Sequence, residues 1–476
     1  MKMAKVRKTQ LCVIGAGAGG LSVAAGAAQL GMKTMLIERG QMGGDCLNTG
    51  CVPSKSLLAA AARAESARQA HKFGVKLDNL QTDWAQVHAY IKGVIADIEP
   101  HDSQERFEGL GVEVIRDAAR FIDPKTIEVG GEKIRAKRFV IATGGRPMVP
   151  DIPGLDTIDY VTNETLFELK QCPDHLLIIG GGPVALEMAQ AHHRLGAKVT
   201  IIEKLDILGK DDVEARQVVI DALFKEGIVF HDFSDITSIE KDGLNVTIHF
   251  SKAGLVQSVT GSHVLIAAGR VPNIEGLNLA AAKVEAGPQG IQVDGKLRTS
   301  NKRIYAVGDV TGGRLFTHIA GYDAGIVIRN ALFKLPAKAN YDAAPWVTYT
   351  DPELAHVGLR EDEARSRHGD VRVLKSDFVD NDRAKCEGRT KGFAKVLVHK
   401  SGRILGATVV GPNAGDLIQI WTLALNKGLK IRDLTGYIAP YPTFGEITKR
   451  VAGEYYKDSL FSPRTRRLVK VLSYFG

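Results

Sequence analysis

A glycine-rich turn between two short apolar strands occurs twice in this chain, with the same internal spacing each time. Leu11-Cys12-Val13-Ile14 reads as a buried parallel strand. It runs into Gly15-Ala16-Gly17-Ala18-Gly19-Gly20, an alanine-rich helical pattern, and Thr34-Met35-Leu36-Ile37 ending at Glu38. Leu176-Leu177-Ile178-Ile179 leads likewise into Gly180-Gly181-Gly182-Pro183-Val184-Ala185, and Val199-Thr200-Ile201-Ile202 ends at Glu203. Gly15 to Glu38 and Gly180 to Glu203 both span 23 positions. Gly15, Gly17 and Gly20 allow a tight turn, close backbone approach to a pyrophosphate and close helix–strand packing. Gly180 and Gly182 repeat the first two, and Ala185 stands at the third position, which the fingerprint tolerates. Glu38 sits where a carboxylate binds a ribose hydroxyl pair. One such turn is weak evidence, but two at matched spacing predict two dinucleotide sites on two βαβ units. Glu203 would repel a 2′-phosphate, which favours NADH. Lys204 beside it would soften that repulsion, so NADPH is the alternative.

Two cysteines follow the first turn, in Gly43-Gly44-Asp45-Cys46-Leu47-Asn48-Thr49-Gly50-Cys51-Val52-Pro53-Ser54-Lys55. In a regular helix, positions five apart lie beyond the ~7 Å Cα limit of a disulfide. Pairing therefore requires a bend, which Asn48, Thr49 and Gly50 permit. The chain reads as helical from Pro53, which puts Cys51 near a helix N-terminus, where the positive dipole end favours a thiolate. A zinc site would need four ligands with closer-spaced cysteine pairs, and no second Cys/His cluster lies nearby. A structural disulfide fits poorly with the missing export signal. An exchangeable couple beside a bound redox cofactor is the expectation.

Taken in order, these motifs resemble the class I flavoprotein disulfide reductases, the group containing dihydrolipoamide dehydrogenase, glutathione reductase and mercuric reductase. Further matches are Ala142-Thr143-Gly144, Ala267-Ala268-Gly269-Arg270-Val271-Pro272-Asn273, Tyr305-Ala306-Val307-Gly308-Asp309 and Pro442-Thr443-Phe444-Gly445-Glu446. The resemblance implies FAD on the first loop and NAD(P)H on the second. Cofactor-binding roles are expected for the loop glycines, Glu38, Gly44, Lys55, Thr143, Gly144, Glu203, Gly269, Arg270 and Asp309, the last on the flavin ribityl chain. It also implies a Lys55–Glu187 pair beside the flavin, whose cation would stabilise negative charge on the reduced ring. Cys46 corresponds to the outer interchange thiol and Cys51 to the inner thiolate.

The pattern breaks at one place. The family's His-Pro-Thr-x-x-Glu run, supplied by the partner subunit, reads Tyr441-Pro442-Thr443-Phe444-Gly445-Glu446 here. Glu446 is kept, but tyrosine, with an unperturbed pKa of about 10 against about 6.5 for histidine, is a poor proton shuttle near neutrality. Tyr441 reads equally as an interface packing residue or a substrate-binding one. The substitution counts against efficient dihydrolipoamide dehydrogenase activity. Mercuric reductase carries tyrosine there too, but also uses a C-terminal cysteine pair, and no cysteine follows Cys386 in this sequence. Direct transfer from flavin to a quinone or metal ion, and a non-catalytic redox-sensing role, are the competing readings. Cys12 and Cys172 read as inert, and Cys386 as a strand-end residue.

A chain of 476 residues should hold about three domains. The expected fold class is α/β, with two Rossmann-like dinucleotide-binding domains and a C-terminal α+β dimerisation domain. Residues 1–149 and 271–343 would bind FAD, 150–270 NAD(P)H, and 344–476 would form a functional homodimer. Within that last part, Phe393–Val398 and Ile404–Val410 flank Ser401-Gly402 as a hairpin, with helical patterns at Ala414–Lys427 and Phe444–Val451. The 44% hydrophobic content supplies full cores, and no apolar run approaches the ~18 residues of a membrane span. With no signal peptide pattern, the expected location is cytoplasmic and no metal site is expected. A formal charge of +8 is modest for this length, and no nucleic-acid partner is expected. Lys2, Lys5, Arg7 and Lys8 in the leader, and Arg464, Arg466, Arg467 and Lys470 in the tail, read as solvated ends. Contact of the tail with anionic lipid is the lesser alternative.

Overall fold

The computed structural model describes residues 6–475. Lys2 and Lys5 of the basic leader lie outside the described residues. The chain divides into two compact units, one built from the stretch ending at Lys204 with His231–Asn340, the other from Leu205–Phe230 with the stretch from Tyr341.

The first unit contains a seven-stranded sheet. Val112–Ile115, Thr34–Ile37, Val6–Ile14 and Glu132–Ile141 lie side by side in parallel, and Ile304–Ala306 adds to Glu132–Ile141. Thr126–Val129 and Ala119–Asp123 extend it antiparallel. Leu11, Cys12, Val13 and Ile14 are all buried, as a strand covered on both faces requires. The register Ile14↔Ile37 and Ile14↔Ile141 brings three strand ends level, and the first glycine turn opens there. A second parallel set, Lys198–Ile202, His175–Ile179 and His263–Ile266, carries the second turn at the same edge position. A three-stranded antiparallel meander, 234–261, packs Ile248 and Phe250 against Leu177 and Ile179.

The second unit is built on a five-stranded antiparallel sheet. Its order is Trp346–Thr348, Glu353–Gly358, Ile404–Gly411, Phe393–His399 and Val371–Asp377. The predicted hairpin is its centre, paired from Phe393↔Val410. The helix Ala414–Lys427 has the bounds read from sequence and buries Ile418, Trp421 and Ala424 on this sheet. The next helix runs Glu446–Leu460 rather than from Phe444, because the Glu446 carboxylate turns back to accept from the Thr443 amide at 3.3 Å. Cys386 ends the short helix Asp382–Cys386, not a strand: Asn381 caps that helix through the Ala384 amide, and Gly388 turns the chain away at φ 64°. The helix Val213–Glu226 also belongs to this unit. Its N-cap Asp212 and Glu214 hold the buried Lys395 ammonium at 2.9 and 2.6 Å. Among the described residues no helix is long and apolar enough to cross a membrane.

Candidate active site

The thiol segment is two helices with a break between them. Gly43 and Gly44 take left-handed backbone angles and start the turn Gly44–Asn48, which Asn48 ties to Met42 and Gly44 carbonyls. The chain breaks at Thr49 and Gly50, where a Cβ on Gly50 would lie 2.9 Å from the Asp45 carbonyl oxygen. The next helix, Cys51–Gln69, begins two residues before the expected Pro53, so Cys51 is its first residue and feels the dipole most directly. Both thiols are free and hydrogen-bonded to each other. Cys51 is lowered to about 6, first by the hydrogen bond from Cys46, against burial, with help from the Thr317 hydroxyl and the Lys55 charge. Its Sγ lies 3.4 Å from Thr317 Oγ1. Cys46 is pushed upward by that same bond and by burial. The couple is thus polarised, with the proton on Cys46 and the negative charge on Cys51.

Lys55, one helical turn beyond Cys51, donates to Glu187 at 2.6 Å, and Glu187 is almost wholly buried on the helix Pro183–Arg194. Arg270 gathers three more segments. It lies 3.1 Å from Asp45 and 3.3 Å from Asp309, and donates to the Gly145 carbonyl at 2.7 Å. Burial raises Asp309, with Arg270 opposing. Asp45 also accepts from Thr49 and from Asn163, whose amide reaches the Thr49 carbonyl as well. Sequence reasoning missed Thr317, Asp45 and Asn163. Only Asp45 carried a local signal, as the acid beside Cys46.

The first loop fits a dinucleotide. Gly17 caps the helix Ala18–Gln29 without a side-chain bond, and no acid sits in its first turn, so its amides remain available to a pyrophosphate. A Cβ on Gly44 would come within 2.8 Å of Gly17 Cα, so this cradle is bare backbone on both sides. Glu38 is oriented by the amides of Ala16 and Gly40, both at 2.6 Å. Thr143 is locked to Asn273 by two bonds, and Gly144 next to it has φ 68°. Gly15 has φ 105°, and a Cβ there would stand 2.3 Å from the Ala142 carbonyl oxygen, while one on Gly20 would strike Gly15. Gly15→Ala is therefore expected to cost more than about 2 kcal/mol and to yield flavin-poor protein. Thermal melting and the ratio of flavin to protein absorbance check it.

The second loop repeats this geometry. Gly180 has φ 118° with the Ala267 carbonyl behind it, and Gly182 caps Pro183–Arg194 with no acid in the first turn. Glu203 accepts from the Gly181 amide at 2.5 Å, as Glu38 does from Ala16. Lys204 pairs with Asp235 at 2.9 Å. Gly269 has φ 127° and precedes Arg270.

Tyr441 and Glu446 belong to the second unit. Tyr441 is 70% exposed, and its hydroxyl donates to Asp382 at 3.1 Å, which raises it above the ordinary tyrosine value. Cys386, four residues from Asp382, is exposed. Cys12 is buried and raised by that burial, and burial lifts Cys172 to about 11. Among the described residues no group of three or more His, Cys, Asp or Glu is placed to hold a metal ion.

Residues 9–325 match the family described as pyridine nucleotide-disulphide oxidoreductase, and 344–452 match its dimerisation domain. A mercuric reductase of Staphylococcus aureus is 38% identical over 94% of this chain and 82% of its own length. A dihydrolipoyl dehydrogenase of Thermus scotoductus is also 38% identical, over 94% and 98%. The solved copper(II) complex of the HOCl-induced flavoprotein disulfide reductase RclA from Escherichia coli superposes with a TM-score of 0.85 at 27% identity, covering 94% of this chain and 99% of that one. With two nucleotide loops, a polarised thiol couple and these matches along nearly its whole length, the chain belongs to the pyridine nucleotide-disulphide oxidoreductases, as an FAD-dependent enzyme using NAD(P)H and carrying the family's dimerisation domain.

Proposed function

We propose that this enzyme is an NADH-driven reductase of a disulfide or related electrophile, with Cys46 and Cys51 as the exchanging couple. The observation that carries the reading is the hydrogen-bonded thiol pair at the head of a helix, with Thr317 on its inner sulfur. FAD, when bound, relays an electron pair between the nicotinamide and the couple. Residues 1–149 and 271–343 would hold it, through Gly15, Gly17, Gly20, Glu38, Gly44, Thr143, Gly144 and Asp309. Residues 150–270 would take NADH through Gly180, Gly182 and Glu203, and residues 344–476 would pair two subunits.

The reduced couple shares one proton near neutrality. For Cys46 to attack, that proton crosses the hydrogen bond to Cys51, and the freed Cys46 thiolate displaces one sulfur of the acceptor disulfide. A mixed disulfide forms as the acceptor bond breaks. The first acceptor sulfur leaves as a thiolate and takes the proton from Cys51. The Cys51 thiolate then attacks the Cys46 sulfur, closing the Cys46–Cys51 disulfide and releasing the second acceptor sulfur as a thiolate that water protonates. The acceptor gains two electrons and the couple loses two. This internal proton transfer supports turnover without a histidine at position 441. Tyr441, tied to Asp382, would then contact the acceptor without shuttling its proton, with Glu446 shaping that loop through Thr443.

A turnover screen against lipoamide, glutathione disulfide, mercuric ion and quinones tests the reading. Disulfide-dependent NADH oxidation that Cys46→Ser abolishes supports it. Quinone or mercuric ion turnover that survives the Cys46→Ser, Cys51→Ser double variant, with no disulfide turnover, overturns it. The kcat/KM ratio of NADH to NADPH is expected to exceed tenfold and to fall by about tenfold in Glu203→Ala, through loss of charge repulsion worth roughly 1.4 kcal/mol.

A further inference from the structure

The last described helix, Pro463–Leu472, has the sequence PRTRRLVKVL and buries none of its residues. Its residues sort by face. Leu468, Val471 and Leu472 fall at i, i+3 and i+4, and Phe475 follows in the turn just past the helix end. Leu468 and Leu472 are each 57% exposed and Phe475 85%. Arg466 and Lys470 fall on the opposite face, Arg467 borders the row beside Val471, and Arg464 stands in line with it one turn before Leu468. None of these four cations has an ion-pair partner among the described residues, and residues 459–476 contain no acid. Exposed Leu460 and Phe461 extend the apolar surface to the corner with the preceding helix. That corner is fixed by the Ser462 hydroxyl accepting from the Thr465 amide at 3.2 Å and by Thr465 donating to the Ser459 carbonyl at 2.7 Å.

A solvated end has no reason to sort its residues this way. A row of large apolar side chains left in water marks a binding face, and its charge selects the occupant. A second copy packed row to row would bring Arg464, in the row, and Arg467, at its border, against the same cations of the other helix. A surface of anionic lipid headgroups instead complements Arg466, Arg467 and Lys470 while the acyl boundary takes Leu468, Val471, Leu472 and Phe475. We propose that this helix docks the enzyme on anionic lipid membranes, lying in the interface plane. Two such helices in a dimer would bind together, which raises the weak affinity of a ten-residue segment.

The test is co-sedimentation of flavin-loaded enzyme with phosphatidylcholine vesicles, with and without about one-third phosphatidylglycerol. Binding to the anionic vesicles only, falling steeply as salt is raised, is expected on the unaltered protein. Reversing charge at three positions (Arg466→Glu, Arg467→Glu, Lys470→Glu) should weaken partitioning on the order of 100-fold, at about fivefold or more per residue. Leu468→Asp with Leu472→Asp should abolish it, and turnover, flavin content and oligomer size should stay unchanged in both variants. Absence of binding to anionic vesicles, or binding indifferent to salt and to charge reversal, overturns the proposal. So does a change in oligomer size in the leucine variant without vesicles, which would make a second copy the occupant.

Discussion

Replacing Cys51 by serine is expected to lower disulfide-dependent NADH oxidation by 10³-fold or more, on the order of losing an activated nucleophile outright, while the fold survives. The lost group is the thiolate that the Cys46 hydrogen bond, Thr317 and Lys55 hold near pKa 6. Its pH dependence follows from the direction of the shift. A thiol whose folded pKa is lowered keeps its charge down to about pH 6, while the stability linked to the shift is complete only above the free-thiol value of about 8.5 and is lost as pH falls from there through about 6. Alkylation of the reduced enzyme should therefore titrate with a midpoint near pH 6 for one thiol. In Cys46→Ala, which removes the largest cause, the midpoint should move upward. A serine variant that still turns over disulfides, or a midpoint that ignores Cys46, would show that the couple is not the working centre.

The second large effect is expected at Lys55. Lys55→Met removes the ammonium paired with the buried Glu187 carboxylate, and removing one member of a buried pair is costly. The lysine retains 39% exposure, so solvent recovers part of the loss and about 2–3 kcal/mol of destabilisation is expected. Glu187→Gln keeps a hydrogen-bond acceptor for the ammonium and should cost less than half as much. Thermal melts of both single variants and the double variant measure the coupling. A double variant no worse than Lys55→Met assigns the penalty to the broken Lys55–Glu187 pair. The same Lys55→Met change should raise the Cys51 midpoint, since the lysine charge helps to lower it.

What the sequence made legible was local. The two glycine turns at equal spacing, the Ser401-Gly402 hairpin and the Ala414–Lys427 helix all follow from short-range periodicity, and each stands where that periodicity puts it. The break at Thr49 and Gly50 was readable because a five-position disulfide demands it. Missing were features made by distant residues. Thr317 is 266 positions from Cys51, and no pattern in its own neighbourhood marks it. Asn163 reaches Asp45 across 118 positions in the same silent way. The helix Val213–Glu226 joins the second unit, where Lys395 pairs with its first acids, and that pairing leaves no trace in either segment alone. Cys386 was misplaced because its five-residue helix is too short to show a period, and only Asn381 as a cap announces it.

Arg270 joins three lengths of chain that are synthesised far apart: Asp45, Gly145 and Asp309. The cysteine segment leaves the ribosome long before this guanidinium exists, and the Asp309 anchor follows later still. Any nascent or truncated chain ending short of residue 309 lacks the full clasp on Asp45, the neighbour of Cys46, so this anchor of the cysteine segment is completed only when most of the polypeptide has been made.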